Sequence, residues 1–344
     1  TQSYAFKRLL KVSHLVGGIR GVIKLYIAEV KKRPKAYAAW VVLGHLYQAN
    51  EEPKKAIPAY QKAAQLKPKK AAPHLALAKL YRRGRQWSQA LAAYDRGIAR
   101  SKGKSARQDA LRNAAATALE AKQDTRAEGY YKALIKTAPR SIFLRMDYAQ
   151  MLSRLGRKKE ALARWTALQK RAKGQLKHLV IIWREMADLA QSLKRYRAAE
   201  KTLREALRRV PEKHWARVGF IESLIGLYRR EDRLPVLIKE FEPKAKRSYQ
   251  MLVTTARLYE EMADDVKALA LFQRAAKKRP SDTRVRLKVI ALLERLGKSA
   301  EVIAGYKALI KASPSSPRHQ LKLATLYFHR GRTKDAFALL AKIS

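Results

Sequence analysis

A 34-residue period constrains this chain more than any other feature. It is clearest from Tyr37 to Lys70, which reads YAAWVVLGHLYQANEEPKKAIPAYQKAAQLKPKK. Numbering places from Tyr37, Trp40 stands at place 4, Leu43 at 7, Gly44 at 8 and Tyr47 at 11; Ala56 follows at 20, Tyr60 at 24, Ala63 at 27 and Pro68 at 32. Apolar residues at 40, 43, 44 and 47 fall on one face of a first helix, and those at 56, 60 and 63 on one face of a second. Asn50-Glu51-Glu52-Pro53 supplies the turn, and Pro68 stops the second helix. A single helix hairpin of this kind cannot bury both faces, so it demands copies of itself on either side.

The copies are present. Ten stretches start near residues 3, 37, 71, 108, 142, 180, 218, 249, 283 and 317, and seven of them carry Ala at place 20 while eight carry an aromatic at place 24. A small side chain suits the point where two helices cross closely, and a ring fills the space between neighbouring hairpins. Gly17-Gly18 marks the turn of the first, degenerate copy. Two slips interrupt the spacing: residues 101–105 and 170–177 read as loops. The seventh copy is the weakest, with Pro235 early in its second helix, where proline is tolerated.

The stretch from Tyr37 resembles a tetratricopeptide repeat, with all eight signature places filled as that family fills them. The resemblance covers essentially the whole chain, residues 3–344. It departs at place 8, where Gly44 is the one glycine. It implies an all-α, right-handed superhelical solenoid of about ten helix hairpins forming a single domain. It also implies a concave trough lined by first helices at places 2, 5, 9, 12 and 13. Carried onto this sequence, those places name Tyr4, Lys7, Lys11, Lys79, Arg82, Arg83, Phe143, Arg184, Arg229, Arg230, Arg318 and Phe328 as a partner-binding groove. Arginine is suited to pairing carboxylates through two parallel hydrogen bonds, and Tyr4, Phe143 and Phe328 offer apolar anchors. Chaperone-binding members of the family use Asn at place 9; this chain has none there, so no such carboxylate clamp is expected.

Charge is the second large fact. The chain holds 76 Lys plus Arg against 28 Asp plus Glu, a net +48. Such a balance attracts polyanions. Among the fifty groove places, 14 are basic and 7 acidic, about the density of the whole chain, so the positive charge coats the back and loops as well. The expected function is a non-catalytic scaffold that binds a protein partner with acidic segments. Two further readings stay open: binding of nucleic acid or another anionic polymer, and a soluble module of a membrane-associated export or assembly machine.

No catalytic constellation is legible. The seven histidines show no helical metal-pair spacing, there is no cysteine, and Gly17-Gly18 is not part of a phosphate loop. Glu51-Glu52 and Asp264-Asp265 read as helix-start residues. Neither cofactor nor metal is expected. Apolar stretches are too short to span a bilayer, so a soluble protein is expected, with the compartment, cytoplasmic or periplasmic, left open. No polar capping helix follows the last copy, so the expectation is that a longer natural chain or a second subunit covers that end.

Overall fold

The structure, a computed structural model, describes residue 6 and residues 9–11, 13–312 and 317–341. Among the described residues there are 19 α-helices and no strand. Contacts gather the chain into two compact units, Thr1–Val210 and Pro211–Ser344. In unit 1, a short 3-10 turn (Ser13–Val16) precedes α1 (Gly18–Lys32). Five hairpins follow: α2 (Tyr37–Ala49) with α3 (Pro53–Leu66), α4 (Ala71–Arg83) with α5 (Trp87–Arg100), α6 (Lys104–Glu120) with α7 (Asp124–Thr137), α8 (Ile142–Arg154) with α9 (Lys158–Arg171), and α10 (Leu176–Ser192) with α11 (Tyr196–Arg209). Unit 2 holds α12 (Ala216–Arg230) with α13 (Leu234–Ala245), α14 (Tyr249–Glu261) with α15 (Asp265–Lys278), α16 (Thr283–Arg295) with α17 (Ser299–Ala312), and α18 (Pro317–Phe328) with α19 (Thr333–Leu340). Within each unit a helix packs chiefly on the helices before and after it in the chain.

The period governs burial. Every residue at place 20 is buried: Ala56, Ala90, Ala127, Ala161, Ala199, Ala268 and Ala336, and also Val22, Leu237 and Val302 where alanine is replaced. At place 24, Tyr60, Tyr94, Trp165, Phe241, Phe272 and Tyr306 are buried, whereas Tyr26 and Tyr131 are half-buried. Gly44 permits a close approach within its copy. A Cβ there would meet the Tyr60 ring at 2.7 Å, and that ring is held by its hydroxyl, 2.8 Å from His45 Nδ1 and donating to Gln48 Oε1 at 3.2 Å.

The turn between the two helices of each copy is equally regular. Place 15 has positive φ in all ten copies: Gly17, Glu51, Arg85, Lys122, Gly156, Lys194, Asp232, Ala263, Gly297 and Gly331. From copy 2 onward the backbone N–H at place 16 donates to the carbonyl at place 11, from Glu52 to Tyr47 (2.8 Å) through Arg332 to Tyr327 (2.9 Å). This is the Schellman closure, which satisfies carbonyls the helix end would otherwise leave open.

The two slips are resolved differently from the loops expected. Residues 101–105 yield only a short link, because α6 already begins at Lys104; α10 likewise begins at Leu176. Both first helices run 17 residues instead of the 13 of α2. Three or four inserted residues amount to about one helical turn, so the chain absorbs them as an extra turn and keeps its buried face in phase. Pro235 sits in the first turn of α13, as its position requires.

Candidate functional site in the first-helix concavity

Two adjoining hollows open over the first helices of unit 1. One is lined by Phe6, His45, Gln48, Ala49, Ala72, Leu75, Ala76, Lys79 and Arg83. The other is lined by Gln48, Lys79, Arg82, Arg83, Tyr94, Asn113 and Glu120. They share Gln48, Lys79 and Arg83. In place numbers, residues at 2, 5, 9, 12 and 13 of α2, α4 and α6 converge here, because residues three and four apart share one helix face and copies stack in register. One wall is apolar, from Phe6, Leu75 and Ala76. His45 stands between them, its ring 5.4 Å from that of Phe6. Burial, and then the charge of Lys79, lowers its pKa, so it is neutral near pH 7.

The cations of this surface divide into paired and unpaired. Arg82 reaches across to the next copy and donates from Nε to Glu120 Oε2 at 2.9 Å and from Nη2 to Oε1 at 2.5 Å. Its pair with Glu120 raises its own pKa and lowers that of Glu120. Lys79 and Arg83 have no carboxylate partner among the described residues, and both are exposed. They are the two cations of the hollows with no carboxylate partner among the described residues.

The same inter-copy pair recurs in unit 2. Arg229, at the place equivalent to Arg82, binds Glu261 through Nε to Oε1 and Nη2 to Oε2, the latter at 2.7 Å. Further pairs lace these first helices: Arg257 with Glu222 at 3.7 Å, Lys288 with Glu260 at 3.0 Å and Arg295 with Glu260 at 3.7 Å. Groove acids that sequence counting treats as background thus hold neighbouring copies together.

The other expected groove residues are dispersed. Tyr4 and Lys7 lie outside the described residues. Lys11 is exposed and its carbonyl accepts from His14 Nδ1 at 2.9 Å. Phe143 is 62% exposed and meets the His178 ring edge-on at 4.7 Å. Arg184 is exposed and lies in the field of Asp188 and Glu185. Arg230 and Arg318 are exposed, and Phe328 is 59% exposed. None of these lines the two hollows.

Sequence reasoning missed two things. Gln48, Leu75 and Glu120, which stand at trough places 12, 5 and 13 but are not among the residues singled out, complete the hollows with Tyr94 of α5; the signal for the ion pair was that Arg82 and Glu120 occupy adjacent places, 12 and 13, in successive copies. It also missed three carboxyls of α8 and α10, Asp147, Glu185 and Asp188, whose pKa values are raised by desolvation. Asp147 and Asp188 have exposed surfaces, yet protein walls around them withdraw enough bulk water to penalise charge. No group of three or more metal-binding side chains occurs among the described residues, and none of their helices is long and apolar enough to cross a membrane.

A family model described as tetratricopeptide repeat matches residues 37–70, and a second of the same description matches residues 75–142 and 292–343. No curated protein sequence matches the chain. Among solved structures it is similar to YrrB, a tetratricopeptide repeat protein with an unusual peptide-binding site, at 14% identity over 57% of this chain and 97% of that one, with a TM-score of 0.38. It is similar to MamA at 18% identity over 51% and 93% of the two chains, TM-score 0.40. It is similar to PilW, a widely conserved type IV pilus biogenesis factor, at 19% identity over 64% and 99%, TM-score 0.37.

Proposed function

Since the chain is a tetratricopeptide repeat protein, we propose that it is a non-catalytic scaffold that seats an extended acidic segment of a partner protein across α2, α4 and α6. The observation that carries this reading is the pair of adjoining hollows, with Lys79 and Arg83 at their junction and an apolar wall beside them. Two cations without internal carboxylates can take Asp or Glu side chains, while Phe6, Leu75 and Ala76 accept an apolar side chain on the same segment. Arg82 contributes less directly, because its guanidinium already holds Glu120.

The test is fluorescence anisotropy with a labelled acidic peptide that carries one aromatic residue, near 150 mM NaCl. Binding is expected to saturate and to weaken roughly tenfold or more in the double variant Lys79→Glu/Arg83→Glu, since two charge-assisted contacts are reversed. Random DNA measured beside it decides against the competing reading. If DNA and peptide bind alike, and both are insensitive to the double variant, the overall coat and not the concavity is the binding surface.

A further inference from the structure

A second concavity in unit 1 belongs to other helices. It opens between α7 and α9, the second helices of copies 4 and 5, with α8 behind them, and has a volume of about 460 Å3. Five cations surround it: Lys132, Lys136, Arg145, Arg164 and Arg171. Its floor is apolar and includes Ile135 and Leu168, and no carboxylate lines it.

One acid meets this group at its edge, and it pairs with one of the five cations. Glu128 takes Lys132 Nζ at 2.7 Å, and the rest of its capacity is filled by Arg157 Nη1 at 2.6 Å and the Tyr148 hydroxyl, which donates at 2.8 Å. Arg164 is pinned with its guanidinium carbon 5.5 Å from the Tyr148 ring centroid. Arg145 gives one Nη2 hydrogen bond to the Pro139 carbonyl, 2.8 Å. Lys136 and Arg171 have neither hydrogen bond nor ion pair among the described residues. Surface helices ordinarily set Glu against Lys at four-residue spacing. Here Lys132 alone has such a pair, with Glu128, and the four other cations gather around one hollow with no ion pair among the described residues and repel each other.

We propose that this hollow is a binding site for a small, multiply charged phosphate compound, free in solution. Arg164 and Arg171 can grip phosphate oxygens in pairs, Lys132 and Lys136 act as point charges, and Ile135 and Leu168 support a less polar portion. The volume fits a compact ligand. The site is independent of the concavity formed by α2, α4 and α6, with which it shares no lining residue.

The test is isothermal titration of the full chain with inorganic tripolyphosphate at about 150 mM NaCl, where exposed charges more than about 8 Å apart are largely screened. One stoichiometric site is expected. The double variant Lys136→Ala/Arg171→Ala is expected to weaken it roughly tenfold or more. Removing two exposed lysines elsewhere, Lys62→Ala/Lys69→Ala, is expected to change it less than about twofold. Ala167→Glu, which adds a carboxylate at the exposed lining of the hollow without removing a cation, is expected to abolish it while the melting temperature holds. Equal losses in the two double variants, or no saturable site, would overturn the proposal in favour of a diffuse basic coat. Sedimentation with vesicles bearing phosphomonoester headgroups separates the source of the phosphate. Vesicle binding lost only in Lys136→Ala/Arg171→Ala would assign the site to a lipid and overturn the soluble ligand; vesicle binding that ignores that variant supports it.

Discussion

At the scale of single residues, the most exacting positions are those where backbone or packing leaves no slack. Place 15 is one. Its residue takes positive φ in every copy, yet only four of the ten are glycine. For other L-residues that conformation costs about 1–2 kcal/mol, against about 0.5–1 kcal/mol of extra unfolded-state freedom that glycine brings. Ala263→Gly is therefore expected to stabilise unit 2 by roughly 0.5 kcal/mol, and Gly297→Ala to destabilise it by a similar amount. Urea denaturation of both variants, followed by circular dichroism, checks the opposite signs. Place 8 of copy 2 is the other such position. The Tyr60 ring that would have to move from a Cβ at Gly44 is fully buried and hydrogen-bonded, so Gly44→Ala is expected to cost about 1–3 kcal/mol by overpacking. The same denaturation experiment reads it, and an unchanged midpoint would mean that the ring yields freely. The alanines at place 20 were legible in the sequence because their identity repeats. Place 15 was not, because its constraint is on φ, and Glu51, Arg85, Lys122, Lys194, Asp232 and Ala263 carry no common chemical mark.

At the scale of elements, stability depends on ties between successive hairpins, as expected where each repeat contacts only its neighbours. Glu128 on α7 is the most saturated tie. It accepts from Tyr148 on α8, from Lys132 on its own helix and from Arg157 at the start of α9. Hydrogen bonds from Lys132, Arg157 and Tyr148 bring its pKa down to about 2. A carboxylate depressed in the folded state contributes its full stability above its unfolded pKa, near 4.3, and loses it as pH falls through the folded value. The contribution thus disappears between about pH 5 and pH 2. Glu128→Gln is expected to lower the melting temperature at pH 7 and to flatten that part of the acid limb, so the two proteins converge near pH 2. A constant offset at every pH would assign the loss to packing instead. Arg82→Ala, which removes a pair with 29% and 43% exposed side chains, is expected to cost only about 0.5–1 kcal/mol. The Glu128 tie leaves no mark in the sequence, and the Arg82–Glu120 tie leaves only the adjacency of places 12 and 13 in successive copies. The partners lie 29 and 38 residues apart, and only the stacking of one copy on the next converts that separation into contact. The one-turn extensions of α6 and α10 escaped notice for a related reason: an insertion that preserves helical phase leaves no break in the apolar pattern.

At the scale of the whole molecule, the question is what +48 does to stability. Residues 1–210 hold 48 Lys plus Arg against 14 Asp plus Glu, and residues 211–344 hold 28 against 14. Even if every acid of unit 1 neutralised one base, most of its cations would remain without a charge partner. In most of the ion pairs present the cation is about half-exposed even where its acid is more sheltered, and such surface pairs contribute little each. Unpaired cations, by contrast, repel collectively over distances that low salt does not screen, since the Debye length shrinks from about 30 Å at 0.01 M to about 8 Å at 0.15 M. Repulsion should therefore outweigh the pairs, and raising NaCl from about 20 to 300 mM is expected to raise the melting temperature by a few degrees; roughly 2–4 °C corresponds to 1 kcal/mol for units of this size. Hydrogen exchange over the same salt range locates the effect, with a larger gain in protection expected in peptides from residues 1–210 than from 211–344. A fall in melting temperature would mean the opposite balance: the inter-copy pairs, Glu128 and Glu120 foremost, would then outweigh the repulsion of the coat, and the charge excess would be a property the fold tolerates at no measurable loss. A rise would mark the excess as a standing cost of folding, one that binding an anionic partner relieves.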